Sequence, residues 1–188
     1  AGAEHCACYW EEQGLGRGDR IPLCGPNDPE WVVSYMAATL LGLAVVPVDP
    51  HLREEDIWNL CDFVGARALV MAEKRFARLG PEGVAGHREL AFYNIDRQGL
   101  AFGSADAEMS SAGEWKAPEV DAEDLASVIF TSAVEPRGVM LSHRNLVANL
   151  LSLAEVQPLS YRDRVLSTLP LHHALEFIGG LMVPLLAG

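Results

Sequence analysis

Residues 19–72 restrict the fold more than any other stretch, because short apolar runs alternate there with amphipathic ones at close spacing. DRIPLCGP (19–26) is a short apolar run closed by Gly25-Pro26 and reads as a strand followed by a loop. NDPEWVVSYMAATLLG (27–42) reads as a helix. Asp28 is placed to accept bonds from free backbone N–H groups as N-cap, Pro29 suits the first helical position, and Glu30 complements the positive end of the dipole. Gly42 is a plausible C-terminal stop. LAVVPVDP (43–50) is β-branched and reads as a buried strand. In HLREEDIWNLCDFVGA (51–66), Ile57, Leu60, Cys61 and Val64 fall at i, i+3, i+4 and i+7, one apolar helical face. RALVMA (67–72) is the next strand. Strand–helix–strand–helix–strand with short joints is the βαβ arrangement. The expected fold class is therefore α/β, with parallel sheets flanked by helices.

The remainder is less regular. ELAFYNID (89–96) reads as a further strand, and 98–124 is polar, rich in small residues and without period, hence a surface loop or linker. LASVIFTS (125–132) reads as a strand, 142–156 as a helix with Ser142 as N-cap, DRVLSTLP (163–170) as a strand, and 174–188 as the start of another helix. The expected organisation is a first α/β lobe over 1–97, the linker over 98–124, and the start of a second α/β lobe over 125–188.

Of the 188 residues, 49% are apolar and 21% charged, so a sizeable core is expected. The net charge of −12 argues against non-specific binding to nucleic acid or to anionic membrane surfaces. The longest apolar stretch, 32–48, is shorter than the roughly 20 residues of a spanning helix and is broken by Gly42 and Pro47, so no membrane span is expected. Cys6, Cys8, Cys24 and Cys61 lack Cys-x-x-Cys spacing and read as reduced, buried thiols of a cytoplasmic protein. The N-terminus does not read as a signal peptide. With neither an initial Met nor a polar tail, the chain reads as a piece of something longer.

Two stretches carry chemistry. FTSAVEPRGVMLSHRNL (130–146) reads as a strand end, a tight loop and then a helix, a natural anion site in which backbone N–H groups and hydroxyls face the loop. Thr131, Ser132, Arg137 and Gly138 are suitable types for gripping phosphate. Glu135 and Pro136 oppose it, and the Walker spacing is missing, so an ordinary strand-to-helix turn is the competing reading. In LPLHHALEF, His172 and Glu176 are four apart with His173 beside them. The residues leave three readings: a metal cluster short of a third ligand, a general base, or one packed and one solvated histidine.

Taken together, four stretches in order resemble the N-terminal part of the adenylate-forming enzymes, closest to the fatty-acyl-CoA synthetases. They are GLGRGDRIPLCGPNDPEWVVSYMAATLLGLAVVPVDPHLREEDI, EDLASVIFTS, PRGVMLSHRNL and LPLHHALEFIGGLMVPLLAG. The resemblance runs from about residue 8 to 188 and is weakest over 73–120. It implies a reaction in which a carboxylate, here a fatty or related acid, attacks the α-phosphate of ATP with Mg²⁺ assisting. The acyl-adenylate then passes its acyl group to the thiol of CoA. By resemblance Thr131 and Ser132 begin the phosphate loop, Arg137 stands for the family's usual lysine, Gly138 follows it, and His173 is the histidine near the acyl carboxylate. No metal ligand is carried over.

The sequence departs from the pattern in that loop. Where the family reads Thr-Ser-Gly-Thr-Thr-Gly-x-Pro-Lys-Gly, Ala133-Val134 stands in place of Gly-Thr-Thr-Gly, which removes two glycines and two hydroxyls. The resemblance also places the adenine pocket, the Mg²⁺-linked acid, the ribose-binding aspartate and the catalytic lysine of a small C-terminal domain outside residues 1–188. The expectation is an acyl-CoA synthetase segment that is not a competent ligase alone. Its rivals are a non-catalytic scaffold that kept the fold, and a His173-dependent acyltransferase. The apolar face of 175–188 is expected to invite self-association.

Overall fold

The structure, a computed structural model, describes residues 2–87, 89–97, 100–101, 115–131 and 137–188. Its strands are β1 (Arg20–Cys24), β2 (Ala44–Val48), β3 (Ala68–Met71), β4 (Ala91–Asn94), β5 (Leu100–Ala101), β6 (Leu125–Phe130) and β7 (Gly138–Ser142). They form one seven-stranded sheet in the order β5-β4-β3-β1-β2-β6-β7. The run β4-β3-β1-β2-β6 is parallel, and β5 and β7 are antiparallel edges.

The helices are α1 (Gly2–Glu12), α2 (Pro29–Leu40), α3 (Glu54–Val64), α4 (Glu73–Gly86), α5 (His143–Val156) and α6 (Val183–Ala187), with a π-helix over Glu176–Met182 leading into α6. One face of the sheet packs Val45, Ala68, Val70 and Tyr93 against Trp10 of α1 and Trp31 and Tyr35 of α2. The other packs Val48, Leu69 and Met71 against Ile57 and Cys61 of α3 and Leu79 of α4. Alternate residues of one strand thus serve opposite cores, which is why β2 and β3 read as unbroken apolar runs.

The expected strands at 19–26, 43–50, 67–72, 89–96 and 125–132 are present, each trimmed at its ends. Asp28 is the N-cap position of α2 with extended backbone, but its side chain makes no capping bond; its carbonyl instead accepts from Trp31 and Val32 N–H at 3.1 and 3.4 Å. Ser142 caps α5 as expected, in a reciprocal box with Asn145. All four cysteines are free and buried. No helix among the described residues is long and apolar enough to cross a membrane.

Three parts differ from the sequence reading. The stretch 163–170 is not a strand: it has no ladder partner among the described residues, and Leu166 is 83% exposed. An alternating run becomes a strand only where a neighbour completes its backbone bonds. The chain does not pass from the loop after β6 directly into a helix, because β7 intervenes as the return arm of a hairpin. Finally, α1 and α4 were not expected. Gly80 (φ 72°) and Pro81 break α4 internally, which hides its period, and α1 buries Cys6 through Trp10 as a block without a stripe.

Two substitutions separate core from cap. Trp10→Ala, at a fully buried position, should destabilise the fold by about 3–5 kcal/mol. Ser142→Ala should cost about 1 kcal/mol. Urea unfolding of the two variants checks the ranking; equal losses would contradict this division of the core.

Candidate functional site

Because β1, β2, β3, β4 and β6 are parallel, their carboxyl ends share one edge, where open α/β sheets place their ligands. A cleft of about 1030 Å³ opens at that edge beside β2 and β6. Thr131, His172 and His173 reach it together with Asp49, while Phe63 and Phe130 belong to its apolar wall. The two rings meet edge-on at 6.0 Å. The loop after β2 that carries Asp49 and His51 is tied down from behind. The buried Arg75 of α4 donates to the Leu52 carbonyl and pairs with Glu54 at 2.8 Å.

Thr131 sits where β6 ends. Its N–H donates to the Arg137 carbonyl at 3.0 Å, and its Oγ1 accepts from Arg137 N–H at 3.2 Å, so the mouth of the loop is pinned on both sides. Ser132 lies outside the described residues, as do 133–136. Arg137 is exposed at the return of the hairpin. Gly138 has a packing reason to be glycine: a Cβ there would approach Val128 Cγ1 to 3.0 Å. The N-terminus of α5 lies a strand of five residues away from the loop, roughly 15 Å at the rise of a β-strand, and its first turn is already capped by Ser142 and Asn145. Any phosphate at this loop would therefore be held by loop donors and not by that helix terminus.

The histidines occupy a turn ahead of the π-helix. Phe177 anchors the turn from behind, with its ring 4.4 Å from that of Tyr35, and Leu171 is buried. The His172 and His173 rings lie 4.4 Å apart. His173 is exposed to the cleft, whereas His172 is half-buried. Burial pushes the His172 imidazole below its usual value; Asp49 opposes this, and His173 and His51 add to it.

Glu176 does not join the histidines. Its Oε2 accepts from Leu169 N–H at 3.3 Å, and its carboxylate lies where a Cβ on Gly180 would stand, 2.3 Å from Oε1. Among the described residues, no group of three or more His, Cys, Asp or Glu is placed to hold a metal ion. Sequence reasoning missed two contributors. Asp49 was read only as the end of a strand, and Asn27 only as the opening of a helix, yet Asn27 bonds the backbone at 169 and 171.

The depressed histidines set a pH dependence. His143 is also lowered by burial, with Asp124 opposing. A histidine whose folded value lies below its unfolded one binds fewer protons in the native state. Its stabilising contribution is thus complete above the ordinary value near 6.5 and is lost as pH falls below it. Thermal stability should fall between roughly pH 7 and 5, and His172→Gln should flatten that slope. A slope unchanged in the variant would remove His172 from the account.

The sequence model of the AMP-binding enzyme family matches residues 1–188. A medium-chain fatty-acid–CoA ligase of Escherichia coli is 28% identical over 99% of this chain and 35% of its own length. The FadD13 long-chain-fatty-acid–CoA ligase of Mycobacterium tuberculosis is 26% identical over 91% of this chain and 34% of its own. The chain thus spans about a third of the length of each of these two curated relatives. In structure it is similar to the fatty acyl-adenylate ligase of L. pneumophila, solved with acyl adenylate and pyrophosphate, at a TM-score of 0.83 and 20% identity over 100% of this chain and 32% of that one. With the whole of its length matched and the fold shared, this chain belongs to the AMP-binding enzyme family.

Proposed function

We propose that this chain is the N-terminal part of an ATP-dependent acyl-CoA synthetase that activates a fatty or related acid. The observation that carries this reading is that Thr131 and the His172–His173 turn, far apart in sequence, face one cleft at the carboxyl edge of the sheet. In the proposed roles, the Thr131 hydroxyl proton and the exposed Arg137 guanidinium meet the phosphates of ATP, with Gly138 beside them and Ser132 expected to add a second hydroxyl. An arginine keeps the charge of the family's lysine but presents it as a planar fork. His173 faces the acyl carboxylate and holds it by hydrogen bonding for attack on the α-phosphate, so that orientation supplies part of the rate. Phe63 and Phe130 offer an apolar surface suited to an acyl group. Mg²⁺ would accompany ATP in this reading and supply positive charge to its phosphates, and no residue of this chain is assigned as its ligand. CoA, the second substrate in this reading, would take the acyl group. A cytoplasmic location belongs to the same proposal and is supported by four free, buried thiols.

A scaffold without chemistry is the second reading. The shortened loop with Glu135 in its sequence supports it, as does the α5 terminus that is already capped. A His173-dependent acyltransferase has less support, since Glu176, the acid that follows the pair, turns to Leu169.

Acid-dependent exchange of pyrophosphate with ATP, tried with a medium-chain fatty acid, discriminates among the three. The 188-residue chain alone is expected to show no sustained exchange, and steady adenylate formation by it would overturn that expectation. The longer polypeptide containing it should exchange. Absence of exchange there would favour the scaffold, and thioester turnover without ATP would favour the acyltransferase.

Self-association is proposed for the chain on its own. Leu175, Leu185 and Leu186 are more than half exposed, as are Val147 and Leu151 on α5, which gives a second copy an apolar surface to cover. Sedimentation should show a dimer or larger species as concentration rises. A strict monomer at high concentration would contradict it.

A further inference from the structure

We propose that Asn27 is a positioning residue for the His172–His173 turn, its side-chain amide standing in for a neighbour strand at Leu169–Leu171. Asn27 Nδ2 donates to the Leu169 carbonyl at 2.7 Å, and its Oδ1 accepts from Leu171 N–H at 2.8 Å. This is the bond pair a parallel strand would make around residue 170: one donor to the carbonyl before it and one acceptor for the N–H after it. Pro170 has no N–H of its own to satisfy. On the other side, Glu176 Oε2 takes up Leu169 N–H, and the Pro170 carbonyl accepts from His173 N–H at 3.0 Å. The carbonyl of His173 then accepts from Phe177 N–H at 2.9 Å, joining the turn to the π-helix.

Only a primary amide carries a donor and an acceptor in one plane, so aspartate can replace half of this arrangement and alanine none of it. The mount is stiff. Asn27 follows Gly25, where a Cβ would come within 2.7 Å of Ile95 Cδ1, and Asp28 N–H closes the loop onto the Pro26 carbonyl at 2.9 Å. The loop leaves the carboxyl end of β1, between β2 and β3 in the sheet. That is where a β2-β1-β3-β4 order reverses and ligand sites gather. Through Asn27 the centre of the sheet sets where the two imidazoles stand in the cleft. The role in catalysis rests on the reading of that turn as the acid-facing wall of the site; the positioning itself does not.

The test is an NMR titration of the histidine rings of the whole 188-residue chain without ATP, so that it succeeds or fails independently of whether the chain binds nucleotide. His172 reports on the turn, with Asp49 and His51 facing it from the loop after β2, His173 beside it, and Asp56 of α3 on the cleft wall. Asn27→Ala should release the turn into water and raise the His172 protonation constant by about threefold or more, toward that of an exposed histidine. Asn27→Gln, which retains the paired amide, should recover part of the shift, and Asn27→Ser, uncharged and too short for both bonds, should not. An unchanged His172 midpoint in folded Asn27→Ala would overturn the proposal. If the alanine variant loses its fold, seen as collapse of the dispersed amide spectrum, Asn27→Ser, which adds no charge, decides: a raised His172 midpoint upholds the proposal and a native one overturns it.

Discussion

Covering a parallel sheet on both faces is the constraint from which the rest of this structure follows. Once α1 and α2 occupy one face and α3 and α4 the other, the central strands β1, β2 and β3 have no exposed side on which to carry polar chemistry. Backbone polar groups inside are used up in the ladder. What is left for function is the carboxyl edge, where strand ends and loops emerge from five strands pointing the same way. Thr131, Asp49 and Asn27 all lie just past such strand ends, and this is why residues of no obvious kinship in the sequence come to share one region.

The edge is held by different means from the core. In the core, area does the work: Trp10, Trp31 and Tyr35 are almost wholly buried. At the edge a few directional bonds substitute for missing secondary structure. Arg75 fixes the loop that carries Asp49 through a backbone carbonyl, and Asn27 and Glu176 fix the turn that carries the histidines in the same manner. Such bonds contribute about 0.5–1.5 kcal/mol each between neutral groups, as for Asn27, and about 1.5–3 kcal/mol where a charged group takes part, as for Arg75. They matter for where a side chain points more than for whether the chain folds.

The βαβ frame was legible because local signals and burial agree. Pro29 at the first helical position, Gly42 in left-handed conformation (φ 69°) behind α2, and the face formed by Ile57, Cys61 and Val64 all do what their spacing implies. The phosphate-loop stretch was legible only in part. Its capping serine was, but GVML at 138–141 looks like the approach to a helix until β6 lies alongside it and draws it into a hairpin. Conversely, 163–170 has the composition of a strand and, among the described residues, no ladder partner to make it one. His172 and His173 could be picked out as chemistry, while their supports could not, since an asparagine at a helix start has a sufficient local explanation.

By itself the sequence determined the run β1-α2-β2-α3-β3 with β4 and β6 after it, the buried face of α3, the buried thiols and, through four ordered motifs, the family. These depend on neighbours within a few residues, where side-chain spacing acts directly on backbone preference. Tertiary structure alone decided that β7 is a strand, that 163–170 is not, that Glu176 turns from the histidines, and that Asn27 reaches across to hold them. Each of those outcomes depends on a hydrogen-bond partner supplied from elsewhere in the chain, and a polar group chooses among partners only after packing has brought them within reach.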